Sequence, residues 1–199
     1  MKESYITANF KNTAHRFPAQ EAALNAAFEA RMAALRKEYA AASEETKRHL
    51  ESQIMPGIAA YETLQVVMPK EEALETVHSY VEVRAWKLQK VILKLMRIPG
   101  LYKKVPGIFA KQTPKLFGTS AGFAAVEHQV TGGVWRIDMT RCPYNDACVR
   151  HGCPELCHCF CDSDDITYGD MHPKLVWRRT KTLGRGGDCC DFCLKLSDK

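Results

Sequence analysis

Cysteine is absent from the first 141 residues of this 199-residue chain, and all nine thiols fall in the 58 residues that begin at Cys142. A chain of this length builds a core without covalent staples, which excludes a disulfide miniprotein. Long apolar runs are missing as well. The longest stretch free of Asp, Glu, Lys and Arg is Leu116 to Val126, eleven residues, against roughly 20 for a bilayer crossing. Met1-Lys2-Glu3-Ser4 carries no apolar leader, so a soluble, cytoplasmic protein is expected. Thiols stay reduced there, and an odd, clustered set points to chemistry or metal before disulfides.

Acidic residues are missing over another interval. From Arg84 to Lys115 there are nine Lys or Arg and no Asp or Glu. Such a run suits nucleic acid or anionic lipid. Lys87, Lys90, Lys94 and Arg97, however, decorate a helix whose opposite stripe is apolar, the ordinary solvated-face pattern. The net charge of +5 is too modest to favour nucleic acid, and no membrane is expected. The run is read as drawing a carboxylate substrate toward a cleft. What is present otherwise is ordinary: 46% hydrophobic and 26% charged residues exclude a disordered or fibrous chain.

Residues 18 to 53 read as an amphipathic helix carrying Leu24, Phe28, Met32, Leu35 and Tyr39; its polar end, Ser43 to Gln53, is expected to protrude or fray. Pro56 opens a shorter helix and Pro69 closes it. A third helix, Lys70 to Ile98, has the core stripe Leu74, Val77, Val81, Leu88, Ile92 and Leu95, and stops at Pro99-Gly100. The period then drops to two. Residues 123 to 130 and 134 to 141 read as strands joined through Thr131-Gly132-Gly133. Trp135, Ile137 and Met139 share one face; Arg136, Asp138, Thr140 and Cys142 share the other. Residues 153 to 171 look helical, and a hairpin of 174 to 183 and 189 to 196 turns through Gly184 to Asp188. The expectation is one α+β domain over 1–199. Its helical part, 1–115, packs on a C-terminal antiparallel sheet, and part 120–199, with a cysteine-rich helical insertion, carries the site.

Cys153, Cys157 and Cys161 recur every four residues, one helical stripe with Cys159 turned away. They suit either a metal half-site or small buried hydrophobes. The lone Cys-x2-Cys, Cys190 to Cys193, falls where alternation predicts a strand, so its thiols face opposite sides and make a poor zinc knuckle. Cys190 follows a Gly186-Gly187-Asp188 turn whose amides could bind an anion, with Arg185 nearby, an environment suited to an activated nucleophile. A plain tight hairpin with a buried cysteine accounts for the same residues.

Taken together, Cys142-Pro143-Tyr144, Cys153-Pro154-Glu155-Leu156-Cys157, Phe160-Cys161-x-x-Asp164, Arg179-Thr180-x-Thr182-Leu183 and Gly186-Gly187-Asp188-x-Cys190-Asp191-Phe192 resemble the L-2-amino-thiazoline-4-carboxylate hydrolase family. The resemblance implies hydrolysis of a cyclic amidine, opening 2-aminothiazoline-4-carboxylate toward N-carbamoyl-cysteine. The matching positions are Cys142, Cys161, Asp164, Asp188, Cys190 and Asp191, whereas Cys148, Cys159, Cys189 and Cys193 are extra thiols. Chemistry assigns Cys190 as nucleophile with Cys142 as the alternative, and Asp164 or Asp188 as proton shuttle. Gly186, Gly187, Arg185 and His128 are the substrate-binding candidates. No cofactor is assigned with certainty, and zinc is the one candidate. The competing class is a thiolate metal or redox module holding zinc or an iron–sulfur group on Cys142, Cys153, Cys157 and Cys161. The expected partner is a small carboxylate, and a homo-oligomer is compatible.

Overall fold

A computed structural model describes residues 3–128 and 132–197. The chain opens with a helix that the sequence reading left out, α1 (Tyr5–Ala14), whose first turn is capped by the Ser4 hydroxyl accepting from the Thr7 amide. Its buried Phe10 stacks on Phe28 of α2 (Glu21–Glu38), ring centroids 4.3 Å apart. Leu24, Phe28, Met32 and Leu35 form the α2 core stripe as the spacing predicts.

The polar stretch expected to fray is instead docked. Ser43 caps α3 (Glu44–His49) by accepting from the Thr46 amide. A wide π turn, Leu50–Ile54, then joins it to α4 (Met55–Leu64). Leu50 and Ile54 are fully buried. Their wider spacing per turn breaks the 3.6-residue pattern, which hides the apolar side of this segment in the sequence. In α4, Gly57 lets Phe160 approach: a Cβ there would sit 2.6 Å from the ring's Cζ.

Helix α5 (Lys70–Leu95) is the longest element. Val77 and Val81 are buried as read, but Leu88 and Leu95 remain 45% and 48% exposed. The stripe is core only in its N-terminal half. Gly100 takes a left-handed φ of 76° after the helix, and α6 (Val105–Leu116) follows.

Among the described residues four antiparallel strands come next: β1 (Ala124–Glu127), β2 (Val134–Arg141), β3 (Leu175–Arg178) and β4 (Cys190–Leu196), in spatial order β1-β2-β4-β3. The helical N-terminal half and this sheet make an α+β fold, as expected. Thr131 of the expected first turn lies outside the described residues. Register pairs Trp135 with Leu194, Ile137 with Phe192 and Met139 with Cys190, so the buried β2 face and the Cys190 face of β4 are one surface. β3 is shorter than predicted. The Asp191 carboxylate accepts from the amides of Thr180 and Lys181, both at 2.8 Å, and carries the chain off the ladder.

The cysteine-rich insertion between β2 and β3 holds two helices, α7 (Pro143–Arg150) and α8 (Cys157–Tyr168). The first was not foreseen: Pro143 at its first turn ends the strand and starts the helix. One apolar cluster gathers α1, α2, α4, α5, α7 and α8, and a second lies between the sheet and α5–α6. Phe192 packs against both.

Candidate functional site

Where the two clusters meet there is a cavity of about 270 Å³. β4 sends Cys190 and Phe192 into it, β2 sends Trp135, Ile137 and Met139, and α8 sends Cys161, Asp164 and Tyr168. Cys142 also lines it, a cleft-wall position as expected, but together with Trp135, Ile137 and Met139 and not with the polar face of Arg136, Asp138 and Thr140. The residue follows the last β2 position and caps α7, so the turn into Pro143 redirects its side chain.

The pivot is Arg179, whose side chain is only 2% exposed. Its guanidinium donates to Asp164 at 3.4 Å and to the Cys161 carbonyl at 2.8 Å, pairs with Asp165, and lies 5.2 Å from the Phe192 ring centre. A buried cation so held is compensated on every side. Asp164 keeps 39% of its side chain exposed, within a cavity walled mostly by apolar groups. Burial there pushes its carboxyl up to about 7; Arg179 opposes the shift and Asp165 adds to it.

The thiols are protonated at rest. Burial pushes Cys190 up to about 11, against the Leu183 amide, which donates to its sulfur at 3.3 Å, and against Arg179. Burial pushes Cys142 up to about 12. Its side chain makes no capping hydrogen bond, yet the Tyr144 and Asn145 amides at the start of α7 oppose the shift. Cys161 is raised too, first by its contact with the Cys157 thiol and then by burial.

Other expected site residues fall elsewhere. Asp188 is exposed and paired with Lys181. Arg185 pairs with Asp162 at 2.7 Å. Gly186 and Gly187 border a separate surface depression. The amides expected to form a nest are taken within the turn: those of Arg185 and Gly187 donate to the Thr182 carbonyl and that of Gly186 to the Leu183 carbonyl. His128 faces Asp138 at 2.8 Å and does not line the cavity. Cys193 is on the opposite sheet face from Cys190, as alternation predicts.

Cys153 and Cys157 are core residues. Among the described residues no group of three or more His, Cys, Asp or Glu is disposed to hold a metal ion, so Cys142, Cys153, Cys157 and Cys161 do not form the conditional ligand set. Gly184 instead closes over two of these thiols: a Cβ on it would lie 2.8 Å from the Cys157 sulfur and 3.0 Å from that of Cys161.

Two contributions escaped the sequence reading. His49 and Gln53, from the stretch expected to fray, both hydrogen-bond the Tyr144 hydroxyl at 3.1 Å and hold that ring on the cavity wall. His49 also donates to the Leu116 carbonyl at 2.9 Å. Arg84, the first cation of the acid-free run, lines the cavity from α5 and makes no ion pair or hydrogen bond with a described residue. With Arg179 committed to carboxylates, it is the cation of the lining without a partner among the described residues.

A family model described as L-2-amino-thiazoline-4-carboxylic acid hydrolase matches residues 47–194. No curated protein and no solved structure matches the chain.

Proposed function

Because the chain belongs to the L-2-amino-thiazoline-4-carboxylic acid hydrolase family, we propose that it opens a small cyclic amidine such as L-2-aminothiazoline-4-carboxylate, with Cys190 as nucleophile and Asp164 as proton shuttle. One observation carries this reading: Cys190 and a carboxyl that titrates near neutrality line the same cavity around a buried arginine. Neither thiol is a preformed thiolate, so the nucleophile needs a base, and a base with pKa near the working pH is the efficient one.

In the proposed sequence the Asp164 carboxylate takes the Cys190 proton as the sulfur bonds to the amidine carbon. The ring C–S bond then breaks, and Asp164 returns the proton to the departing ring sulfur. Water, giving a proton to Asp164, next attacks the S-linked carbon. The Cys190–carbon bond cleaves, the thiol regains its proton, and the released amine and carbonyl groups are those of N-carbamoyl-cysteine. One water is consumed and one substrate thiol appears per turnover. Arg179 steadies the ionised Asp164 within the apolar wall, and Arg84 is positioned to meet the substrate carboxylate. Cys142 is the second candidate nucleophile, favoured by the two amides at the start of α7. Asp188, Arg185, Gly186, Gly187 and His128 take no part in this sequence.

The test is incubation with L-2-aminothiazoline-4-carboxylate while released thiol is titrated under reducing-agent-free, anaerobic conditions. Stoichiometric thiol is expected, and its absence overturns the substrate assignment. Arg84→Met is expected to raise KM about tenfold or more with kcat nearly unchanged, since it removes binding common to ground and transition states. An unchanged KM removes Arg84 from the site.

A further inference from the structure

The apolar groups left on the surface are concentrated in one place. Among the described residues thirteen large hydrophobic side chains are exposed, and ten of them lie between Val83 and Phe117. The same interval holds the nine cations and no acid. None of those nine forms an ion pair with a described residue, although ion pairs are frequent elsewhere in the chain.

The arrangement on α5 is specific. Ala85 and Gln89 are buried, and the Gln89 amide donates to the Ile166 carbonyl at 2.7 Å, which fixes that side of the helix to α8. Alongside that side Leu88, Val91 and Leu95, three and four residues apart, make an exposed apolar stripe that Ile98 extends past the helix end, and Lys90, Lys94 and Arg97 are exposed in the same stretch. Leu88 and Phe117, both exposed, also line the cavity, so the cavity opens onto this face.

We infer that the α5–α6 face docks on an anionic lipid surface, lying on it with the cavity mouth turned toward it. Clustered lysines beside exposed leucine, valine and isoleucine are the composition of an interfacial helix, in which burial of the stripe and attraction to acidic headgroups act together. A second copy of the chain fits poorly, because a two-fold contact through this face sets uncompensated cations against their own images. Nucleic acid would leave the aliphatic stripe in water. The mode is docking and not spanning, for no helix among the described residues is long and apolar enough to cross a membrane. The inference goes beyond the reaction and does not depend on it.

Co-sedimentation of the full chain with phosphatidylcholine vesicles, with and without about 30% phosphatidylglycerol, tests it at low salt. The protein is expected to pellet only with the anionic vesicles. Reversing three cations, K90E/K94E/R97E, is expected to lower partitioning at least about 100-fold, each cation near an acidic leaflet contributing a factor of about 5. V91S/L95S is expected to lower it about tenfold by removing buried apolar surface. All five positions are exposed and outside the cavity, so circular dichroism and the rate of thiol release at saturating soluble substrate are expected to stay as in the parent. Three results overturn the inference: parent protein left in the supernatant with anionic vesicles, a V91S/L95S variant that pellets like the parent, or a dimer in the ultracentrifuge that these substitutions dissociate.

Discussion

At the scale of single residues, the account rests on Asp164. An isolated carboxyl titrates near 4, and the cavity moves this one up to about 7 because burial outweighs Arg179. The base is the ionised form, so activity limited by its proton transfer is expected to rise as pH climbs through about 7. Asp164→Asn is expected to lower kcat by about 10² or more and to abolish that rise; a variant with the parental pH profile would assign the step to another group. Asp164 was legible from its motif position three residues after Cys161. Arg179 was present in the same set of motifs, yet its role was not legible. Its partners, Asp164 and Asp165, lie fifteen and fourteen residues earlier on α8 and meet it only through the fold.

At the scale of elements, the sequence spoke most clearly where one period ran unbroken. The alternation of Trp135, Ile137 and Met139, and the opposed faces of Cys190 and Cys193, follow from the pleat alone. Reading failed where periods change. The π turn at Leu50–Ile54 shifts the apolar phase, and Cys142 leaves the strand pattern because Pro143 begins α7. The sequence also could not say which half of the α5 stripe would find a partner. Close approach between elements makes a sharper prediction. Gly57 of α4 meets the Phe160 ring, itself 5.3 Å from Tyr144, so Gly57→Ala overpacks the cavity wall. A loss of about 1–3 kcal/mol in denaturant unfolding is expected, with altered KM because Phe160 lines the cavity. Unchanged stability would mean that the ring has room to retreat.

At the scale of the whole molecule, the site exists because two apolar clusters meet without filling the space between them. Phe192 belongs to both, and Met139 and Cys190 of the first cluster adjoin Ile137 of the second along the β2–β4 ladder. Units so joined are expected to unfold together. Urea curves from tryptophan emission, weighted to Trp135 and Trp177 in the sheet, and from far-ultraviolet circular dichroism, weighted to the helices, are expected to coincide; separate midpoints would divide the chain into two units. The same junction resolves the cysteine count. Cys142, Cys161 and Cys190 line the cavity, Cys148, Cys153, Cys157 and Cys159 are packing groups of the helical cluster, Cys193 is on the far face of the sheet, and Cys189 is buried just before β4 outside both clusters.

The central claim is a covalent bond between Cys190 and the amidine carbon, and the most direct measurement is intact-protein mass after acid quench during turnover of L-2-aminothiazoline-4-carboxylate. The account predicts a species heavier by one whole substrate, because ring opening leaves both fragments attached, mapped to Cys190 and lost in Cys190→Ser together with thiol release. Thiol release by Cys190→Ser at the parental rate would contradict it.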